Sequence, residues 1–384
     1  MYKIKTLNKI SDSGLSVLPK DKFTISDNEE NPDGIILRSF DMHSMEMPGS
    51  LLAVARAGAG VNNVPTDKCS EKGIVVFNTP GANANAVKEL VLAGLFLSSR
   101  DIVGGVKWVE SLEGQTDVAK TVEKGKSNFA GPEITGKTLG VIGLGAIGIL
   151  TANAAVALGM KVIGCYNMVL RDNAKNSLHK DVEITNDKSY VYEKADYISL
   201  NLPTRPETKK MFNAEVFNKM KKGARIINMA RADLVNNDDL KAALESGQIS
   251  CYVTDLPNEE VLGVKNVIPI PHLGASTPES EENCAFMAAQ QIKNYLECGN
   301  IKNSVNFPEL ELECKGGTRI CVAAKADACD KIASALEKSG LKVTGKASAV
   351  GKTVCYWIID VEGGAPDTAV LSNAEGVISV RVIS

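Results

Sequence analysis

Compact apolar runs recur through the first three quarters of the chain, and helix-like stretches separate them. GIILRS, LLAVARAG, GIVVFN, TLGVIG, KVIGCY, YISLNLP, ARIINMA, CYVTDL and NVIPIP are each bounded by Gly, Pro or polar residues. Runs of this kind are expected of strands buried on both faces of a parallel sheet. Between them lie helical segments over Asn85–Arg100, Ile147–Gly159, Asp238–Ser246 and Pro278–Cys298. Strict alternation points to doubly wound α/β architecture, and the 384 residues leave room for two such units and a smaller one. The segment STPESEEN opens a long helix, with Ser276 or Thr277 as cap, Pro278 inside the first turn and Glu279 after it. That helix is expected to carry the chain back to the first unit, making it discontinuous and leaving a cleft. The expected division is 1–84 with 276–306, then 85–275, a linker at 307–317, and a β-α-β-β-α-β module at 318–384.

Composition excludes several classes. Hydrophobic residues at 44% and charged residues at 23% describe a globular chain. A net charge of −3 exerts no global pull on nucleic acid or an anionic membrane, so an anionic ligand needs a local cationic cluster. The opening MYKIKTLNKISDSG lacks a secretory apolar core, and AVKELVLAGLFLSS, with Lys88 and Glu89 inside it, is too short to span a bilayer. Nine cysteines with no C-x-x-C pair are expected to be reduced thiols in a cytoplasmic protein that holds no metal.

The stretch LGVIGLGAIGILTANAAVALGMKVIGCYN carries the clearest ligand signal. Gly143, Gly145 and Gly148 stand between a strand and a helix, with a second strand following at Rossmann spacing. The first glycine makes the turn, the second lets a pyrophosphate approach the backbone, and the third lets helix and strand pack closely. The pyrophosphate would face the free N–H groups at Ala146 and Ile147. At the end of the second strand, where an acid ordinarily grips the ribose, Tyr166 stands instead. Its hydroxyl neither grips two ribose hydroxyls nor repels a 2′-phosphate. With Arg171 close behind, NAD is the expected cofactor and NADP stays open.

Of three histidines, His43 and His179 sit in polar surface-like stretches. His272 follows the strand-like NVIPIP at a Pro-His-Leu-Gly turn, placed to face the expected cleft. Oxidation of a hydroxy acid releases a hydride and a proton together, and the proton needs a base that titrates near neutrality. Glu260 is available to orient that imidazole, and Arg231, at a strand end, to bind a carboxylate in bidentate fashion.

VIGLGAIG, NMARADLVN, TDLPNEEV and PHLGAST, in this order, with RAGAGVNNV and VVFNTPGANANAVKE before them, resemble the D-2-hydroxyacid dehydrogenases over about residues 1–306. The resemblance implies a flavodoxin-like substrate domain and a Rossmann NAD domain. It places Arg231, Glu260 and His272 on the family's catalytic positions and Asp255 at the nicotinamide end. Further cofactor contacts would be Leu202, Met229, Ala230 and Gly274. Substrate contacts would be Arg38, Ser39, Arg56, Gly58 and Lys126, the last in an arm over Asp101–Gly131 that in relatives packs on a second subunit. The implied activity is oxidation of a phosphorylated 2-hydroxy acid in a homodimer or homotetramer. Alternatives are a reductase for glyoxylate or hydroxypyruvate, and a retired dinucleotide sensor. Departures from the family pattern are Tyr166, Ala232 where glycine is usual after the arginine, and the missing proline after Glu260. Residues 318–384 resemble the small ACT regulatory domains, but the turn AAKADACDK lacks the Asn, Pro or Gly common where serine binds.

Overall fold

The computed structural model describes residues 1–166, 175–364 and 366–384. Arg171 lies outside them. The chain forms two compact units, residues 1–83 with 278–384, and residues 84–277.

In the first unit, β1 (Tyr2–Leu7), β2 (Phe23–Ser26), β3 (Gly34–Leu37), β4 (Ala53–Arg56) and β5 (Val75–Phe77) form a sheet in the order β2-β1-β3-β4-β5. All pairings are parallel, which is the flavodoxin-like winding. The helix Pro278–Cys298 lays Ala285, Ala288, Ala289, Ile292, Tyr295 and Leu296 into the core that Ile4, Ile36, Ala53 and Ala55 line. Those positions recur at three- and four-residue spacing, one stripe of a helix. The helix stops at Gly299, whose φ of 69° a side chain would resist.

The four-stranded sheet that ends the chain belongs to this unit. β13 (Thr318–Lys325), β14 (Val343–Val350), β15 (Val354–Val361) and β16 (Val377–Ile383) are antiparallel in the order β14-β15-β13-β16, the ferredoxin-like arrangement. Strand alternation feeds two cores at once. Val354, Tyr356 and Ile358 join the core beneath Pro278–Cys298, while Cys355, Trp357, Ile359 and Val361 pack on the helix Cys329–Lys338. The segment 307–317, expected as a linker, packs as well. Phe307 is buried, Ile301 and Leu310 exchange backbone hydrogen bonds, and Leu310 and Leu312 lie on the shared core.

In the second unit, β6 (Thr138–Ile142), β7 (Lys161–Cys165), β8 (Val182–Thr185), β9 (Tyr197–Leu200), β10 (Ala224–Asn228), β11 (Ile249–Thr254) and β12 (Val267–Pro269) run parallel in the order β12-β11-β10-β9-β6-β7-β8. Ile198 and Ile226 point into one apolar layer and Tyr197 and Ile227 into the other, so helices cover both faces. Strand order reverses between β6 and β9. Ligands of open α/β sheets bind at such a reversal, outside the carboxyl ends of the strands.

Candidate active site

Parallel strands put every carboxyl end on one edge, and that edge collects residues far apart in sequence. Glycines 143–148 follow β6, Tyr166 follows β7, Leu202 follows β9, and Met229 to Arg231 follow β10. Asp255 follows β11 and His272 follows β12.

Each glycine of the turn has its own steric reason. Gly143 has φ 102°, and a Cβ there would stand 2.5 Å from the Asn201 carbonyl and 2.9 Å from Leu202 Cδ2. A Cβ on Gly148 would fall 1.9 Å from the Gly143 carbonyl, so helix and turn touch backbone to backbone. Gly145 has nothing within 4 Å of its Cβ position and is exposed to solvent. It opens the helix Ala146–Ala157, whose first intrahelical bond runs from Ile149 N to Gly145 O at 2.9 Å. The N–H groups of Ala146, Ile147 and Gly148 precede that bond and are the free donors of a helix start. Open space over Gly145 and unpaired donors beside it fit a dinucleotide pyrophosphate.

Tyr166 lies one step beyond the Ile142–Cys165 register pair, with its N–H on Thr185 O at 3.0 Å and its ring partly buried against the apolar layer. The nearby Asp187 does not replace the missing acid. Its carboxylate accepts from Ser189 N at 2.8 Å and caps the helix Lys188–Lys194.

Asp255 is 1% exposed. Oδ2 accepts from Gly274 N at 2.9 Å, and Oδ1 is buried with no hydrogen-bond partner among the described residues. Burial raises its pKa above the ordinary carboxylate value, against the opposing pull of the Gly274 N–H and of the His272 and Arg231 side chains. Arg231 and His272, 41 positions apart, therefore both stand close enough to Asp255 to act on it electrostatically. The structure brings these three together. Glu260 Oε2 accepts from Asn237 Nδ2 at 2.7 Å, and among the described residues it makes no hydrogen bond to His272. Among the described residues the His272 ring makes no hydrogen bond, and its backbone carbonyl accepts from Ser276 Oγ at 3.3 Å.

Sequence reasoning missed the residue that shapes the arginine loop. Asn228 is fully buried at the end of β10. Its Nδ2 donates to the Arg231 carbonyl at 2.9 Å and to the Tyr252 hydroxyl at 3.0 Å, and its Oδ1 accepts from Ala230 N at 3.1 Å and Arg231 N at 3.3 Å. The guanidinium turns back to donate to the Ala230 carbonyl at 2.6 Å. Ala232 opens the short turn Ala232–Leu234 without left-handed backbone, so no glycine is required there. The asparagine that opens the NMAR run, with a tyrosine on the next strand, was the available signal.

The remaining expected contacts divide. In the first unit, Arg38, Ser39, Arg56 and Gly58 lie at the carboxyl ends of β3 and β4. Arg38 pairs with Glu281, and Arg56 Nε donates to the Arg38 carbonyl at 3.0 Å. Gly58, at φ 148°, lies against the Arg56 guanidinium, where a Cβ would fall 1.6 Å from Nη1. Ser39 N donates to Asn8 Oδ1 at 3.0 Å. In the second unit, Lys126 points to solvent and pairs with Glu123 at 2.6 Å, three residues back.

Strand order, the glycine turn and the polar groups on the same edge define a dinucleotide-binding α/β protein. Residues 98–274 match the family described as "D-isomer specific 2-hydroxyacid dehydrogenase, NAD binding domain", so this stretch of the chain is a domain of that family. D-3-phosphoglycerate dehydrogenase of Methanocaldococcus jannaschii is 35% identical over 278 residues, covering 71% of this chain and 51% of that protein. The Synechocystis enzyme of the same name is 34% identical over 290 residues, covering 72% and 49%. The chain thus spans about half the length of the curated relatives it matches. Among solved structures, NAD-bound 3-phosphoglycerate dehydrogenase of Entamoeba histolytica aligns with TM-score 0.62 at 24% identity, covering 80% of this chain and 99% of that one. D-mandelate dehydrogenase of Rhodotorula graminis aligns with TM-score 0.65 at 22% identity, covering 77% and 94%, which establishes the shared fold.

Proposed function

We propose that the chain is an NAD-dependent dehydrogenase that oxidises D-3-phosphoglycerate at its 2-hydroxyl, the first step of serine biosynthesis. The observation that carries this reading is the grouping of Arg231 and His272 around buried Asp255, on the edge that bears the glycine turn. Relatives named for that activity support the choice of substrate.

The donor set fits the cofactor. Ala146, Ile147 and Gly148 would hold the pyrophosphate through backbone N–H groups, and the unpartnered Asp255 Oδ1 would accept from the carboxamide end. When bound, the dinucleotide supplies the hydride acceptor. His272 takes the hydroxyl proton on an imidazole nitrogen as the alcohol carbon becomes a carbonyl. Arg231 swings from the Ala230 carbonyl to pair with the substrate carboxylate, and Asn228 holds its loop while it does so. Glu260 orients His272 once it leaves Asn237. Arg38, Ser39, Arg56, Gly58 and Lys126 serve the substrate's anionic groups.

The working assembly is a homodimer or homotetramer. The helices Ile102–Glu110 and Val118–Gly125 bury none of their residues, and Ile102, Val106, Val109 and Val118 form exposed apolar surface that supports a second copy as its cover. Nine free cysteines support work in a reducing cytoplasm, and among the described residues no helix is long and apolar enough to cross a membrane.

The test is initial rates of NADH formation from D-3-phosphoglycerate beside glycerate and lactate. Preference for the phosphorylated substrate is expected. Equal or better turnover of the unphosphorylated acids would reassign the substrate, and cofactor binding without turnover of any acid would make the chain a sensor.

A further inference from the structure

The C-terminal end of the helix Pro278–Cys298 and the strand-like run ahead of β13 lie side by side, and each carries a cysteine. Their register comes from backbone pairing. Ile301 and Leu310 exchange two antiparallel hydrogen bonds, at 2.8 and 3.0 Å, and Leu312 N donates to Asn300 Oδ1 at 3.1 Å. That isolated bridge brings the end of the helix beside the run that leads to Glu313 and Cys314. Arg319 holds the same two segments together. Its Nη1 donates to the Cys298 carbonyl at 2.8 Å and the Leu312 carbonyl at 3.2 Å, and its Nη2 to the Glu313 carbonyl at 2.8 Å. Cys314 is exposed and Cys298 is half-buried, so a small reagent can reach the pair from one side.

We propose that Cys298 and Cys314 form a reversible thiol–disulfide modification site that fastens the terminal sheet to the long helix. The oxidant is a small disulfide of the glutathione class. The Cys314 thiolate attacks its S–S bond, one glutathione leaves as thiolate, and a mixed disulfide remains on Cys314. The Cys298 thiolate then attacks Cys314 Sγ and expels the second glutathione. Two protein thiols are oxidised, two glutathiones are formed by reduction of one glutathione disulfide, and the two thiol protons balance the two thiolates released. Burial, with the neighbouring Cys314 thiol, pushes Cys298 up to about 12, while Arg319 opposes that shift and Glu297 adds to it. Cys298 is therefore protonated at neutral pH, and the exposed partner strikes first.

The experiment uses the full chain in glutathione buffers of graded oxidised-to-reduced ratio, quenched with an alkylating agent and digested with trypsin. Cleavage after Lys293, Lys302 and Lys315 places Cys298 and Cys314 on separate peptides with one cysteine each. A cross-linked pair, lighter than the sum of the two peptides by two hydrogens and released by reductant, is expected under oxidising ratios. In Cys298→Ser the same buffers should leave a lasting glutathione adduct on Cys314, and in Cys314→Ser no adduct and no cross-link at Cys298. Circular dichroism of both variants should match the parent, since serine is close in size at these positions. A stable glutathione adduct on Cys314 in the parent, a cross-link from Cys314 to another cysteine, or no reaction at either residue would overturn the proposal.

Discussion

Two carboxylates, both ligated by backbone or guanidinium N–H groups, have opposite fates in this molecule. Asp360 in the terminal sheet meets Arg319 in a two-pronged pair, Nε to Oδ1 at 2.6 Å and Nη2 to Oδ2 at 2.9 Å. With three backbone carbonyls also on that guanidinium, each of its five N–H donors has an acceptor. Asp255 on the edge of the seven-stranded sheet has one oxygen satisfied and one orphaned. A saturated network holds two segments in register. An incomplete one leaves a buried acceptor unpaired, bears its desolvation cost, and on the proposed reading offers it to a ligand. The difference separates a structural polar cluster from a functional one, and substitutions at each should break different properties.

The largest effect is expected on the incomplete side. His272→Asn should lower kcat by about 10²–10⁴-fold, the usual worth of a positioned general base. Its exposed ring carries no side-chain hydrogen bond among the described residues, so the thermal midpoint should stay within a degree or two of the parent. Initial rates with saturating cofactor, beside a melting curve, check both halves. Activity kept within a few-fold would remove His272 from the chemistry. On the saturated side, Arg319→Met leaves Asp360 and three carbonyls without their donor, and about 3–5 kcal/mol of stability should go with it. Denaturant unfolding measures the loss, and titration of NAD by tryptophan fluorescence should show unchanged affinity. Loss of cofactor affinity alongside stability would erase the distinction between the two clusters.

The incomplete cluster was far easier to find in the sequence. Glycines 143, 145 and 148, Asp255 and His272 each follow an apolar run, and a local pattern sufficed because parallel strands deliver all such positions to one edge. Most internal strands were legible for the same reason. β2 and β8 were not: as edge strands they read FTIS and VEIT, too polar to register as buried runs. β1, with only Ile4 fully buried in YKIKTL, was hidden likewise. The saturated cluster depends on contacts between residues 298, 312, 313, 319 and 360, which no local pattern announces, so 307–317 looked like a linker. Asn228 was missed because its partner Tyr252 meets it only through the pairing of β10 with β11.

Tyr252→Phe tests that pairing directly. It removes one buried acceptor from Asn228 Nδ2 and should cost about 1 kcal/mol in stability. If the asparagine holds the arginine loop for catalysis, KM for the substrate rises several-fold while the Kd for NAD is unmoved. A stability loss with unchanged KM would make the cluster purely structural. Tyr166→Asp probes the other end of the same edge. A carboxylate beside the ribose should tighten NAD by roughly tenfold and weaken NADP by at least as much, since two charge-assisted hydrogen bonds are gained and a 2′-phosphate is repelled. Equal binding of both cofactors before and after would place the ribose elsewhere.

The smallest effect gives the finest test of the comparison. Asp255 has its folded pKa raised by burial, so the folded protein holds that proton more tightly than the unfolded chain does. As pH rises from below the unfolded carboxylate range, the unfolded state ionises first and the native state loses stability. The loss is complete once pH passes the folded value. Asp255→Asn removes the charge while its side-chain carbonyl can still accept from Gly274 N. The variant should be more stable than the parent at pH 8 by about 1 kcal/mol, the scale of one buried polar group, and the gap should close toward pH 4. On the proposed reading, in which the orphaned oxygen accepts from the cofactor, NAD affinity should fall at the same time. Melting curves of both proteins across that pH range decide it. A variant less stable than the parent at pH 8 would mean the ionised carboxylate is well solvated by its neighbours, and that Asp255 resembles Asp360 after all.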